Sequence, residues 1–338
     1  MTSLGLRRRI KYFAWRARNI DTKNLFRIAG NLSRQSGKPK LAIAADMVWS
    51  AAKHETGFTD YQDWDFHLLS HAERITYMTH PKSNHLAQVF NQKDYRYRFA
   101  DKSEFNRGFA DYIGRNWLDV RTTKAADLEK FVTAHESVMV KVIDSDGGQG
   151  IERLSAVDIE DYETLREQLL ERRQFLVEQV IPQHPIMASL NPTSVNSIRM
   201  ITFFDGAQVH ILARVLKMGN GDVIDNFAHG GMYTMLDEEG VALHAAFDVM
   251  GDSYSVHPIS GVEIVGFRVP KYDEVLTLVD RVARVVPQIP YVGWDIAISP
   301  DRPVVIEGNY NTGVFQSKPS LTTTKTGLLP RYKEVMGF

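Results

Sequence analysis

The chain has 338 residues, enough for two or three compact subdomains with ample core. It contains no cysteine, which excludes disulfides and thiolate metal sites and leaves the redox compartment open. The formal net charge of −1 conceals a split: residues 1–100 hold 17 Lys/Arg against 8 Asp/Glu, a balance of +9, and the remainder holds 23 against 33, a balance of −10.

In chain order, segments 4–18, 22–35 and 40–54 carry apolar residues at helical spacing, with Leu6, Ile10, Phe13 and Ala17 in the first. Only Pro39 and Pro81 of the 13 prolines fall in the first hundred residues. The two shifts together predict a helical, basic N-terminal domain over 1–95. Its first helix holds Arg7, Arg8, Arg9, Lys11, Arg16 and Arg18, with no acid before Asp21. Two readings of that helix stand: peripheral contact with an anionic membrane surface, or a solvated face whose apolar stripe packs on its own domain. No nucleic-acid partner is expected, because no reader motif accompanies the charge. No run reaches the apolar length of a membrane span, and the charged N-terminus lacks a following apolar stretch, so a signal peptide is not expected and a cytoplasmic location is. His67 and His71 stand four apart on an expected helix, a spacing that binds zinc only with further ligands that the sequence does not supply.

The next elements are strands. Val138-Met139-Val140-Lys141-Val142-Ile143 places β-branched residues on both sides of one lysine, and it runs into Asp144-Ser145-Asp146-Gly147-Gly148-Gln149-Gly150. A glycine-rich turn after a strand lets backbone N–H groups close around phosphate oxygens, with the lysine as a point charge. It is not the Walker pattern, since the lysine precedes the glycines. An ordinary turn beside a snorkelling lysine is the competing reading. Phe175-Leu176-Val177-Glu178-Gln179-Val180-Ile181-Pro182 is apolar up to Glu178 and stops at a proline. Gln179 to Ile181 offer an adenine an apolar slot and an extended backbone. Glu178 suits a structural pairing with Lys141 on a neighbouring strand, and both readings can hold at once. Val275, Leu278, Val279, Val282 and Val286 stand at helical spacing over Tyr272 to Val286, which predicts a segment packed in the core.

Gly293-Trp294-Asp295-Ile296-Ala297-Ile298 and Pro303-Val304-Val305-Ile306-Glu307 face one another across a turn. If the turn centres on Asp301, Asp295 stands opposite Glu307, and Asn309 shares their face. Opposed carboxylates repel, and a buried pair needs something positive between them. Two carboxylates and an amide oxygen, completed by phosphate and water, suit Mg²⁺ in a nucleotide site. A solvated hairpin with acidic rungs is the plain alternative.

In order and spacing these residues resemble the ATP-grasp superfamily. Asn196-Ser197-Ile198-Arg199-Met200, Ala213-Arg214-Val215, Asp225-Asn226 and Gly230-Gly231 look like elements of the ribosomal-protein-S6 and lysine-biosynthesis glutamate ligases. The sugar-transfer-associated, or α-L-glutamate-ligase-like, branch is more similar still. Its pattern is matched by Ala100-Asp101-Lys102-Ser103-Glu104-Phe105, Ile113-Gly114-Arg115-Asn116-Trp117-Leu118, His257-Pro258, Gly266-Phe267-Arg268-Val269-Pro270 and the Gly293 to Ile298 run. The resemblance covers roughly residues 95 to 320. It implies an α+β ATP-grasp fold, two subdomains clasping ATP, behind the helical N-terminal domain: 96–185 with the phosphate loop and adenine hinge, and 186–338 with the metal and substrate site. Lys102, Lys141 and Gly147, Gly148, Gln149 and Gly150 would then hold phosphate, and Glu178, Gln179, Val180 and Ile181 the adenine. Asp295, Glu307 and Asn309 would hold Mg²⁺, with Mn²⁺ as an alternative. Arg199, Arg214 and Asn226 would surround the γ-phosphate and a carboxylate substrate, with His229, Gly230 and Gly231 near that substrate. Two features depart from the pattern: Asp146 adds negative charge to the phosphate loop, and the first ninety residues do not read as the α/β domain that precedes many ATP-grasp modules.

The activity implied is an ADP-forming carboxylate–amine ligase working through an acyl phosphate. Its partners would be an amine and a small-molecule, peptide or sugar-acid carboxylate. A small-molecule kinase on the same fold and a non-catalytic nucleotide-binding module are the alternatives.

Overall fold

The computed structural model describes residues 21–143, 150–221, 227, 230–323 and 325–338. It divides into two units, Met1–His85 with Gln316–Pro330, and Leu86–Phe315 with Arg331–Phe338. Residues 86–95 and 316–330 thus fall on the other side of the division from where the sequence boundaries put them.

The first unit is helical. Asp21 accepts from the Asn24 backbone N–H at 3.0 Å and starts the helix Thr22–Ser36, which Gly37 ends in a left-handed turn. That helix buries Leu25, Ile28, Ala29 and Leu32, and Lys40–His54 buries Ile43, Ala44, Met47 and Ala51. Both spans agree with the sequence reading; the basic helix expected over 4–18 lies outside the described residues. The later segment of this unit is tied in by Gln316, whose amide donates to the Met78 carbonyl at 2.6 Å and accepts from the Met78 N–H at 3.0 Å. Lys318 pairs with Asp65 at 3.1 Å.

The second unit holds two antiparallel sheets. Strands β1 (Trp117–Asp119), β2 (Ser137–Lys141), β3 (Glu152–Ser155) and β4 (Leu176–Gln179) form the smaller, in the order β1-β4-β2-β3. Leu128, Val132 and Leu169, from the helices Ala125–His135 and Tyr162–Glu171, pack on Val138, Val140 and Val177. The larger sheet comprises β5 (Ser197–Phe204), β6 (Val209–Met218), β7 (Met232–Met235), β8 (Ala246–Asp248), β9 (Ser253–Tyr254), β10 (Tyr291–Ile298) and β11 (Pro303–Asn309), in the order β11-β10-β5-β6-β7-β8-β9.

Register decides which residues of this sheet face the core. Met200 pairs with Arg214 and Trp294, and Arg199 pairs with Val215 and Asp295. Paired residues share a face and successive ones alternate. The even-numbered residues Ile198, Met200, Leu216, Trp294 and Ile296 therefore bury against Val275, Val279 and Val282 of the helix Tyr272–Val282. Arg199, Lys217 and Asp295 occupy the opposite face.

Candidate active site

The β10–β11 hairpin carries the acidic pair. Its turn spans 299–302, where the Ser299 hydroxyl donates to the Arg302 carbonyl at 2.6 Å and accepts the Arg302 N–H at 3.1 Å. Beyond the turn Ile298 pairs with Pro303 and Ile296 with Val305, a register that would set Asp295 against Ile306. A shift between Asp295 and Ile296 leaves Ile306 as the extra residue of a bulge, so Asp295 pairs with Glu307 and Gly293 with Asn309. The expected opposition is present, and the bulge produces it.

The positive charge demanded by that pair comes from neighbouring strands. Arg199 donates from Nε to Asp295 Oδ1 at 2.5 Å and from its terminal nitrogen to Oδ2 at 2.6 Å, a bidentate fork. Lys217 Nζ lies 3.6 Å from Oδ1. Burial pushes the Asp295 carboxyl up, but the Arg199 and Lys217 charges and the arginine bonds overcome it and hold the group at about 2. Gly293 makes room for this arrangement: a β-carbon there would sit 2.1 Å from Thr312 Oγ1 and 3.2 Å from Arg199 Cδ. Phe315 covers the guanidinium, its ring centroid 5.4 Å away.

Glu307 stands directly opposite Asp295 in the ladder. Asn309 Nδ2 donates to Glu307 Oε1 at 3.2 Å and to the Gly293 carbonyl at 3.4 Å, so Oδ1 is the end of the amide that could accept a cation. Among the described residues no group of three or more His, Cys, Asp or Glu could hold a metal by itself. Two carboxylates and one amide oxygen make an all-oxygen, incomplete set, the kind that a phosphate-bound Mg²⁺ completes. Because Asp295 already carries the fork of Arg199, Glu307 and Asn309 are the less committed donors.

The second half of the site lies on the smaller sheet. Lys141 at the end of β2 donates to Glu178 Oε2 at 2.5 Å. The Asn106 amide and Arg115 donate to Glu178 Oε1 at 2.7 and 2.8 Å. Burial works to raise the Glu178 carboxyl, and the Arg115 and Lys141 charges hold it well below the usual carboxylate range. Gln179 closes β4, its N–H donating to the Asn116 carbonyl at 2.9 Å. Past the strand, Val180 and Ile181 join Met139, Lys141, Ile151 and Ile306 around a cavity of about 350 Å³. An apolar slot with a charged rim has the character of a nucleobase site.

The segment 144–149, with Gly147, Gly148 and Gln149, lies outside the described residues, as do Asn226 and His229. Gly150 resumes the chain and its carbonyl accepts from Gln174 Nε2 at 3.2 Å. Lys102 opens the helix Lys102–Gly108, and its N–H donates to the Ile143 carbonyl at 3.2 Å, at the exit of β2. Gly230 and Gly231 lead into β7.

A family model described as sugar-transfer associated ATP-grasp matches residues 83–336. The chain belongs to this family. A search of curated proteins gives no match. Among solved structures the ATP-grasp ligase PsnB complexed with a minimal precursor is similar, with 15% identity over 83% of this chain and 77% of that one and a TM-score of 0.45. The D-cycloserine synthetase DcsG shows 14% identity over 76% of each chain, TM-score 0.43. D-alanyl-alanine synthetase A from Vibrio cholerae shows 10% over 76% and 69%, TM-score 0.42.

In this ATP-grasp chain four placements differ from or add to what the sequence indicates. Arg214 pairs with Met200 and so stands on the core side of the sheet, beside Tyr272, away from Arg199 and Asp295. Burial first, with nearby acids, pushes the Tyr272 hydroxyl up to about 12 against the pull of Arg214. The second cation at Asp295 is Lys217, which shares its strand with Arg214 but points to the opposite face. His67 and His71 belong to separate short elements, Phe66–Leu68 and His71–Arg74, and do not share a helix. Arg115 and Asn106, the other partners of Glu178, carry no local sign in the sequence, because their contacts are 63 and 72 residues distant.

Proposed function

We propose that the protein is an ATP-dependent carboxylate–amine ligase that forms ADP through an acyl phosphate. The observation that carries this reading is the Asp295–Glu307 rung, with Asn309 on the same face and Arg199 and Lys217 behind it. Adenine would enter the slot bounded by Met139, Ile151, Val180, Ile181 and Ile306, its edge toward the chain that leaves β4. Glu178 keeps Lys141 extended toward the phosphates, and Lys102 and the glycines through Gly150 would add donors there. Glu307 and Asn309, with Asp295, would hold Mg²⁺, which when bound neutralises phosphate charge; Mn²⁺ fits the same oxygen set. Arg199 and Lys217 place two positive charges beside the rung, where a substrate carboxylate and the γ-phosphoryl group would meet.

In this reading the carboxylate oxygen takes the γ-phosphoryl group and ADP departs. The amine nitrogen then attacks the acyl carbon, the C–O bond to phosphate breaks, the nitrogen gives up a proton to solvent or the departing phosphate, and an amide and inorganic phosphate form. No protein nucleophile is required, because positioning and electrostatics lower the barrier. The acid would be a small molecule, a peptide or a sugar acid. No helix among the described residues is long and apolar enough to cross a membrane. A cytoplasmic enzyme using cellular ATP is the reading adopted, with residues 1–20 as the candidate contact to an anionic membrane.

The test is an ADP-release screen over pools of acids with Mg-ATP, with and without amines, followed by hydroxylamine trapping. A ligase gives a hydroxamate, and oxygen-18 from the acid appears in free phosphate. Phosphate retained on an isolable product, indifferent to amine, would replace the ligase by a kinase. Nucleotide binding without turnover on any pool would leave a binding module.

A further inference from the structure

Arg115 is a buried cation of the second unit with several hydrogen-bond acceptors around it. Its side chain is 3% exposed, yet among the described residues it pairs with one carboxylate, Glu178 at 2.8 Å. The remaining bonds go to main-chain and amide oxygens. One terminal nitrogen donates to the carbonyls of Val305 at 2.8 Å and Ile113 at 3.2 Å. The other donates to the Ile306 carbonyl at 2.9 Å and to Asn106 Oδ1 at 3.3 Å, besides Glu178. The turn that delivers the arginine lies hard against β11: Gly114 has φ +58°, and a β-carbon there would sit 2.3 Å from Val304 Cγ1.

Val305 and Ile306 are the two residues at which β11 leaves its simple register with β10. The extra residue of a bulge drops out of the ladder, and its carbonyl, here the part-buried one of Ile306, needs a new donor. The guanidinium supplies it. Without the bulge every residue beyond it would change face, because a slip of one residue reverses the side-chain alternation. Glu307 and Asn309 would then turn toward the core and leave Asp295. The same fork grips Glu178, which orients Lys141. Only a planar group with donors on several edges serves a carboxylate and two carbonyls together, which an ammonium cannot do.

We propose that Arg115 is a positioning residue: it fixes the Ile306 bulge, thereby sets Glu307 and Asn309 on the Asp295 face, and couples that metal strand to the Glu178–Lys141 hinge. The bulge part stands on geometry alone; the metal part rests on the function proposed above.

Two measurements on Arg115→Lys and Arg115→Met separate these parts. Without ligand, amide hydrogen exchange should show protection over 303–309 falling about tenfold or more, as stranding one or two buried carbonyls would cause, while β6 keeps its protection. With ligand, ADP titration should show Arg115→Lys binding metal-free ADP within about twofold of wild type, but losing most of the affinity that Mg²⁺ adds, since charge beside Glu178 is kept and the carbonyl bonds are not. If Arg115→Met fails to fold, Arg115→Lys carries both measurements. Unchanged protection over 303–309 in a folded variant overturns the proposal, as does an intact Mg²⁺ increment. If the wild-type protein binds no ADP, the functional reading fails, and the exchange measurement alone judges whether Arg115 holds the bulge.

Discussion

Asp295→Asn distinguishes a carboxylate that is repelled from one that is clamped. If Asp295 mainly repelled Glu307, neutralising it would leave the ligand-free protein level or stabilise it. The geometry gives the opposite sign. Arg199 makes two charge-assisted bonds to Asp295, Lys217 stands at 3.6 Å, and the carboxyl is held at about 2 against a usual 3.8. That depression corresponds to about 2 kcal/mol in favour of the charged form. The asparagine would also leave Arg199 and Lys217 buried without their counter-charge, and breaking a buried pair from one side costs about 3–5 kcal/mol. We therefore expect a loss of about 3 kcal/mol or more at pH 7, read from urea midpoints at constant slope. A folded-state value below the unfolded one means that the stabilisation is complete above the unfolded pKa, near 4, and vanishes as pH falls through about 2. The difference between wild type and variant should therefore narrow over that window. Adding Arg199→Met should recover much of the loss. An Asp295→Asn protein as stable as wild type would refute the clamp.

Glu307→Gln should abolish ATP turnover while leaving ligand-free stability level, because among the described residues Glu307 accepts from the Asn309 amide and pairs with no cation; full activity at millimolar Mg²⁺ would sink its assignment. Lys141→Ala should weaken binding of a non-hydrolysable ATP analogue and destabilise the fold by about 1 kcal/mol, since Arg115 and Asn106 still satisfy Glu178. Unchanged affinity would remove Lys141 from the site. Lys217→Met should lower turnover in the ADP-release assay, whereas Arg214→Met, on the other face, should leave Mg-ADP affinity unchanged; the reverse pattern would overturn the face assignment made from register.

The sequence made some of this legible for definite reasons. Lys141 and Glu178 could be paired because each is the one charge in an apolar strand. The Asp295–Glu307 rung could be placed because the hairpin is short, although the assumed turn centre concealed the bulge at Ile306 that produces the pairing. The face on which Arg214 stands is not legible in the sequence, because neighbouring strand residues point oppositely and only the register with Met200 tells which points inward. Arg115 falls in a motif of the resemblance, but its contacts are not legible in the sequence, because main-chain carbonyls are its chief partners and every residue offers one. The helix Tyr272–Val282 was plain, since its apolar spacing repeats over three turns.

The return of Gln316–Pro330 to the first unit bears on how the polypeptide comes to be made. During synthesis, residues up to His85 emerge long before Gln316 and Lys318 exist to satisfy the Met78 backbone and Asp65. The helical unit must then wait, incomplete, while more than two hundred residues of the other unit are translated. A gene cut after the codon for residue 95 would encode a fragment lacking its last fifteen structural residues, whereas a fusion joining 21–85 directly to 316–330 would restore them. The order of the chain on the ribosome is thus not the order in which its parts can be finished.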